Sequence, residues 1–148
     1  VDEGLVVGGA GGLAVLGRTP DVAAARLGDF VDVTALARFP DATIAIGRAD
    51  GTLARVEPAT ATTRWSAPTF GRAITDVAVS AEGARIATSS QDYKVRLYDA
   101  TTGEDLITVG AHESVATSVA FSPDGRTIAS GGYDRVVRLW HAPTAGGR

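Results

Sequence analysis

SVATSVAFSPDGRTIASGGYDRVVRLWH, running from Ser114 to His141, decides the fold because the chain carries an earlier copy of it. That copy, VAVSAEGARIATSSQDYKVRLYD from Val77 to Asp99, stands 42 positions upstream and agrees in apolar pattern, turn residues and closing aromatic. A third, weaker copy is LARFPDATIAIGRADGTLARVE, Leu36 to Glu57, once one residue is deleted from its first hairpin. Asp50, Asp92 and Asp134 then fall 42 residues apart, a regularity that chance alignment of short apolar runs seldom produces. A fourth piece, LVVGGAGGLAVL from Leu5 to Leu16, matches the middle of the unit, with Gly8 and Gly9 where Gly131 and Gly132 stand and Gly11 in place of the aspartate.

Each unit divides into four short strands, a to d. In the last copy the expected strands are a at 115–121, b at 127–131 and c at 136–140, with hairpins at Pro123-Asp124-Gly125 and Tyr133-Asp134-Arg135. Pro presets such a turn, Gly closes it and Asp caps it. The upstream copy gives a at 74–80, b at 85–89, c at 94–98 and d at 104–109; strand d of the weaker copies falls at 62–66 and 21–27. Strands a and b are rich in Val, Ile, Ala, Ser and Thr on both faces and nearly free of charge, so the sheets they form must be sandwiched between similar sheets. A repeat of this length, built from four strands, is the signature of a β-propeller. The expected fold is all-β: an incomplete propeller of four-stranded antiparallel blades, about three and a half of them. The expected division is strands b, c and d of one blade at 1–29, a degenerate blade at 30–67, a full blade at 68–110, a last blade without strand d at 111–142, and a tail at 143–148.

So few blades cannot close a ring, since propellers need at least about four. The remaining blades are expected either from an upstream part of a longer chain or from a second copy. The absence of a starting Met favours the former.

Composition narrows the function. A net charge of −3 lacks the basic surplus that phosphate neutralisation needs, so no nucleic-acid partner is expected. There is no cysteine, which removes disulfides, thiolate metal sites and cysteine nucleophiles. The opening VDEG carries no secretory signal, and the glycine-rich run from Gly4 to Gly17 is too short to cross a bilayer, so a cytoplasmic protein with no membrane partner is expected. Thirteen arginines against the single Lys94, with abundant Ala and Gly, point to a GC-rich coding source.

From Leu5 to His141, and most closely from Ile74 onward, the chain resembles the WD-repeat (WD40) β-propellers. Leu97-Tyr98-Asp99 and Leu139-Trp140-His141 stand where that family has its closing Trp-Asp pair, and Gly110-Ala111-His112 stands for its Gly-His, one residue longer. The resemblance implies a buried hydrogen-bonded tetrad: His112, Ser130, Asp134 and Trp140. In the preceding unit it keeps Thr88 and Asp92, puts Tyr98 for Trp, and has Phe70 or Gly71 where His belongs; the unit before keeps only Asp50. A carboxylate that accepts several N–H bonds at a buried turn holds shape, whatever the family's name. The resemblance further implies a non-enzymatic scaffold that binds a protein or peptide on its rim, in a bacterial regulatory protein. Arg48, Gln91, Tyr93, Tyr133 and Arg135 flank the turn aspartates and are the candidate rim residues.

Rival chemistries have residues to point to. His112, Ser130 and Asp134 are the residue types of a hydrolase triad, yet they lie inside a repeat whose other copies lack the His. Gly9 to Ala14 spells G-x-G-x-x-A after a strand, as a nucleotide-binding turn would, but Gly17 and Pro20 leave no helix for a pyrophosphate to meet. A ligand on the axis, as in quinoprotein-like propeller enzymes, needs charged residues at the inner strand a, where only Asp76 and Arg38 are near; Asp76 is expected at the rim or paired with Arg96 or Arg72. With two histidines and no carboxylates spaced around them, no metal or cofactor is expected.

Overall fold

The computed structural model describes residues 5–9, 12–16, 25–26, 32–68 and 70–144, with side chains from residue 32 onward. Every regular element among them is a β-strand. Strands β1 (Leu5–Gly9), β2 (Gly12–Leu16) and β3 (Ala25–Arg26) make a first sheet. Four strands make the second: β4 (Val33–Arg38), β5 (Ile44–Arg48), β6 (Leu53–Glu57) and β7 (Thr62–Ala67). Four make the third: β8 (Ile74–Val79), β9 (Arg85–Ser90), β10 (Lys94–Asp99) and β11 (Asp105–Ala111). The last sheet has β12 (Ala116–Phe121), β13 (Thr127–Gly132) and β14 (Val137–His141). Among the described residues all pairings are antiparallel between neighbours in sequence, and the sheets do not close into a ring.

The expected glycine-rich turn joins two antiparallel strands: β1 runs back along β2, with Gly9 opposite Gly12. A strand therefore follows where a nucleotide-binding turn would need a helix. Residues 10 and 11, most of the expected strand d at 21–27 and the end of the tail lie outside the described residues; β3 falls within that strand and pairs Ala14 with Arg26.

Period-2 alternation sends each strand's residues to two different interfaces. In β5, Ala45 packs with Phe39, Leu53, Ile74, Val77, Ile86 and Tyr98 between the second and third sheets, while Ile44 and Ile46 join Val33, Ala54 and Val56 on the opposite face. In β9, Ile86 joins the former cluster, and the adjacent Ala87 joins Val95, Leu97, Ala116, Val119 and Ile128 between the third and last sheets. Residues with small or branched side chains suit strands buried on both faces, and all six residues of β9 are buried.

One irregularity recurs. The first strand of each of the last three sheets carries a bulge, and the residue skipped in the ladder is Thr34, Thr75 or Thr117. Freed from pairing, the Thr34 hydroxyl donates to the carbonyl of Ile74, and that of Thr75 to the carbonyl of Ala116, each on the first strand of the next sheet. Thr117, on the last sheet, donates to Gly131 of its own sheet.

Candidate interaction rim

In each of the last three sheets the hairpin between the second and third strands is built alike. An aspartate accepts the N–H two residues on: Thr52 N–H to Asp50 at 2.8 Å, Lys94 N–H to Asp92 at 3.1 Å, Val136 N–H to Asp134 at 3.2 Å. These Asx turns force the next residue into the left-handed region, with φ of 89° at Gly51, 75° at Tyr93 and 63° at Arg135. Backbone bonds then tie each hairpin to the loop before the first strand: Ala49 N–H to Asp32, Gln91 N–H to Ala73 and Tyr133 N–H to Val115. The hairpins and loops of three successive sheets thus form one continuous end of the molecule.

The structure brings His112, Ser130, Asp134 and Trp140 into one chain of hydrogen bonds. The Trp140 indole N–H donates to Ser130 Oγ at 2.8 Å, Ser130 Oγ meets His112 Nε2 at 2.8 Å, and His112 Nδ1 lies 2.9 Å from both Asp134 oxygens. With the carboxylate ionised, Nδ1 carries the proton and Nε2 accepts from the serine. Asp134 also accepts the N–H of Glu113 at 3.0 Å and the Arg138 guanidinium at 3.1 Å. Burial pushes the Asp134 carboxyl up, but the Glu113 and Val136 N–H groups and His112 outweigh it and hold it at about 2, against an ordinary 3.8. Room for the group is made by glycine. A Cβ on Gly110 would overlap the Trp140 ring, and one on Gly132 would sit 2.7 Å from His112 Nδ1.

The connectivity is that of a nucleophile, base and orienting carboxylate, but access is not. Ser130 is 2% exposed, its oxygen already receives the indole N–H, and His112 is 4% exposed.

The preceding blade solves the same turn differently. Asp92 does not join Thr88 and Tyr98. It takes the guanidinium of Arg96, which is 4% exposed and lies 3.9 Å beneath the ring centroid of Phe70. Phe70 occupies the histidine's place in sequence, and the arginine stacked on it neutralises the carboxylate. Arg96 lowers the Asp92 pKa, with the Lys94 N–H, against the opposing effect of burial. Tyr98 is buried, which pushes its phenol up to about 12, with the Asp105 charge adding to the rise. Asp50, in the second sheet, is exposed and caps Thr52.

Asp76 pairs with neither Arg96 nor Arg72. Its carboxylate accepts the N–H of Val77 at 2.9 Å and, across the sheet boundary, that of Val119 at 3.0 Å. The bulge at Thr75 explains the difference: it turns Asp76 toward the neighbouring sheet.

Of the candidate rim residues, Tyr133 is 73% exposed and Tyr93 46%, while Gln91 and Arg135 are also exposed. Arg48 is half-buried and engaged. Sequence reasoning missed Arg72, which lines a concave site of about 430 Å³ together with Gln91, Asp92, Tyr93 and Val115. Its signal was available only in the repeat frame, as a charge in the loop before a first strand. Among the described residues no group of three His, Asp or Glu side chains is placed to hold a metal.

Successive antiparallel sheets of three or four strands, the last three packed through their first strands and turned by a repeated hairpin, define a β-propeller segment. The family model for the WD domain, G-beta repeat (WD40), matches residues 62–99 and 103–141, and the chain belongs to that family. Two solved structures are similar in fold. The WD40 repeats of RRP9 share 19% identity at a TM-score of 0.71, over 77% of this chain and 36% of theirs. U3-55K shares 20% identity at a TM-score of 0.71, over 77% of this chain and 37% of its own. The chain therefore spans little more than a third of the length of these structures. No curated protein matches the sequence.

Proposed function

We propose that these blades belong to a non-enzymatic scaffold that binds a protein or linear peptide on the rim formed by the hairpins at Asp50, Asp92 and Asp134. WD40 propellers typically serve as protein-interaction scaffolds. The observation that carries the proposal is the contrast within the turns of the last two sheets: a carboxylate held by several donors beside a tyrosine left outside. Tyr133 stands 73% exposed next to Asp134, whose side chain is 6% exposed. Exposed aromatics and arginines on a rigid support make strong contacts at little entropic cost, since the backbone beneath them is already ordered. The burial of Ser130 supports the non-enzymatic part, because an acyl substrate has no route to its hydroxyl.

A photo-crosslinking phenylalanine analogue at Tyr133, and for comparison at Leu106 on the outer strand β11, tests the proposal in cells that make the protein. Crosslinked partner is expected from position 133 and not from 106. Equal yields, or partner captured only from the outer strand, would overturn it.

A further inference from the structure

The concave site between the third and last sheets is lined by donors that no side chain among the described residues takes up. Of its lining groups, the Asp92 carboxylate is spent: it takes Arg96, the Lys94 N–H and no further charge. What remains are the Arg72 guanidinium, the Gln91 amide and the Tyr93 hydroxyl, none of which has a side-chain partner among the described residues. Arg72 is exposed and alone in sign, since the other cation at the site, Arg96, is neutralised by Asp92 and stacked on Phe70. Val115 supplies an apolar wall.

The backbone adds an independent observation. At the left-handed position of this turn the second sheet has Gly51, for which the conformation is free of strain. The third sheet holds Tyr93 there at φ 75°, and the last sheet Arg135 at 63°, a cost that Gly51 shows the turn does not require. That strain places a phenol at the mouth of the site, beside the unpaired guanidinium.

We infer that this site receives the carboxylate of an aspartate or glutamate in an acidic peptide segment of the partner, with Arg72 as its fork of donors and Gln91 and Tyr93 completing the cradle. Of the lining groups the Arg72 guanidinium can only donate and keeps its charge, so the cleft selects an anionic acceptor, which a guanidinium meets bidentately when it is a carboxylate. The Gln91 amide and the Tyr93 hydroxyl each have a donor to turn toward it. The peptide's neighbouring apolar side chain rests on Val115. This assignment rests on the rim proposal above and gives it a chemistry.

The test uses the full chain and a displayed library of peptides with one fixed Glu in random sequence, selected for binding and then measured by fluorescence polarisation. The selected peptides are remade with Gln and with phosphoserine at the fixed position. Glu→Gln in the peptide and Arg72→Gln in the protein are each expected to weaken binding by about tenfold or more, and the two together by no more than either alone. Tyr93→Gly is expected to weaken binding while leaving the melting temperature unchanged or raised, which a merely structural tyrosine would not do. If binding is lost on Tyr133→Ala or Arg135→Ala but not on Arg72→Gln, the rim stands and this inference falls. If no rim substitution affects the selected peptides, both fall. Phosphoserine binding with no binding of Glu would replace the carboxylate by a phosphoryl group, and a library that yields no binder overturns the inference.

Discussion

At Asp134 one carboxylate organises His112, Glu113, Val136 and Arg138, so its ionisation is part of the last sheet's stability. Its folded pKa of about 2 lies below the ordinary 3.8, so the stabilisation is present above about pH 4 and is lost as the pH falls through 2. Urea unfolding followed by Trp fluorescence is expected to show that acid loss, and Asp134→Asn to be less stable at neutral pH and flatter across the acid range. Ser130 stands one bond further in. Ser130→Ala leaves the Trp140 indole N–H without its acceptor and His112 Nε2 without its donor, and is expected to cost about 1–3 kcal/mol. Tyr133→Ala, at an exposed turn position, should stay within roughly 0.5 kcal/mol, and equal melting shifts for the two would sink the division between framework and rim.

Strands and hairpins show where sequence reasoning reaches. The repeat made the hairpins legible, because Asp50, Asp92 and Asp134 satisfy a local rule that operates within a few residues. In the last three sheets the strand ends fall within one or two residues of their expected places for the same reason; β8, expected at 74–80, spans Ile74–Val79. What stayed hidden depends on a neighbouring sheet. The Phe70–Arg96–Asp92 arrangement needs a stacking contact from another loop, and the Asp76 bond to Val119 crosses a boundary 43 residues long in sequence. The bulged threonines are the same kind of feature. Thr75→Val keeps the shape and removes the bond to Ala116, and is expected to cost about 1 kcal/mol, whereas Thr117→Val, with no neighbouring sheet to reach, should cost measurably less by urea denaturation. Equal costs would show that the bulge acts within its own sheet alone.

Across the whole molecule the 42-residue register supplies an internal control. Val95 and Leu97 are 0% and 1% exposed beneath the last sheet, while Val137 and Leu139, one repeat later, are 75% and 72% exposed. Position and residue type are the same; only the cover differs. Val137, with Ser118, Val119, Ala120, Ala129 and Gly131, lines a shallow groove of about 180 Å³ on this face. The Thr117 hydroxyl, which donates to Gly131 within its own sheet, lies where its counterparts bond to a following sheet. An uncovered apolar face of this kind drives association, because removing apolar area from water contributes about 25 cal/mol per Å². The isolated 148-residue chain is therefore expected to associate at micromolar concentration, and Val137→Thr with Leu139→Gln to reduce that association in light scattering without lowering the melting temperature. The same change cannot be made silently one repeat earlier. Leu97→Ala opens a cavity between two sheets and is expected to cost about 2–5 kcal/mol. Should the double substitution at 137 and 139 destabilise the fold as much as Leu97→Ala does, the face would be part of an intrachain core and not a surface awaiting another blade.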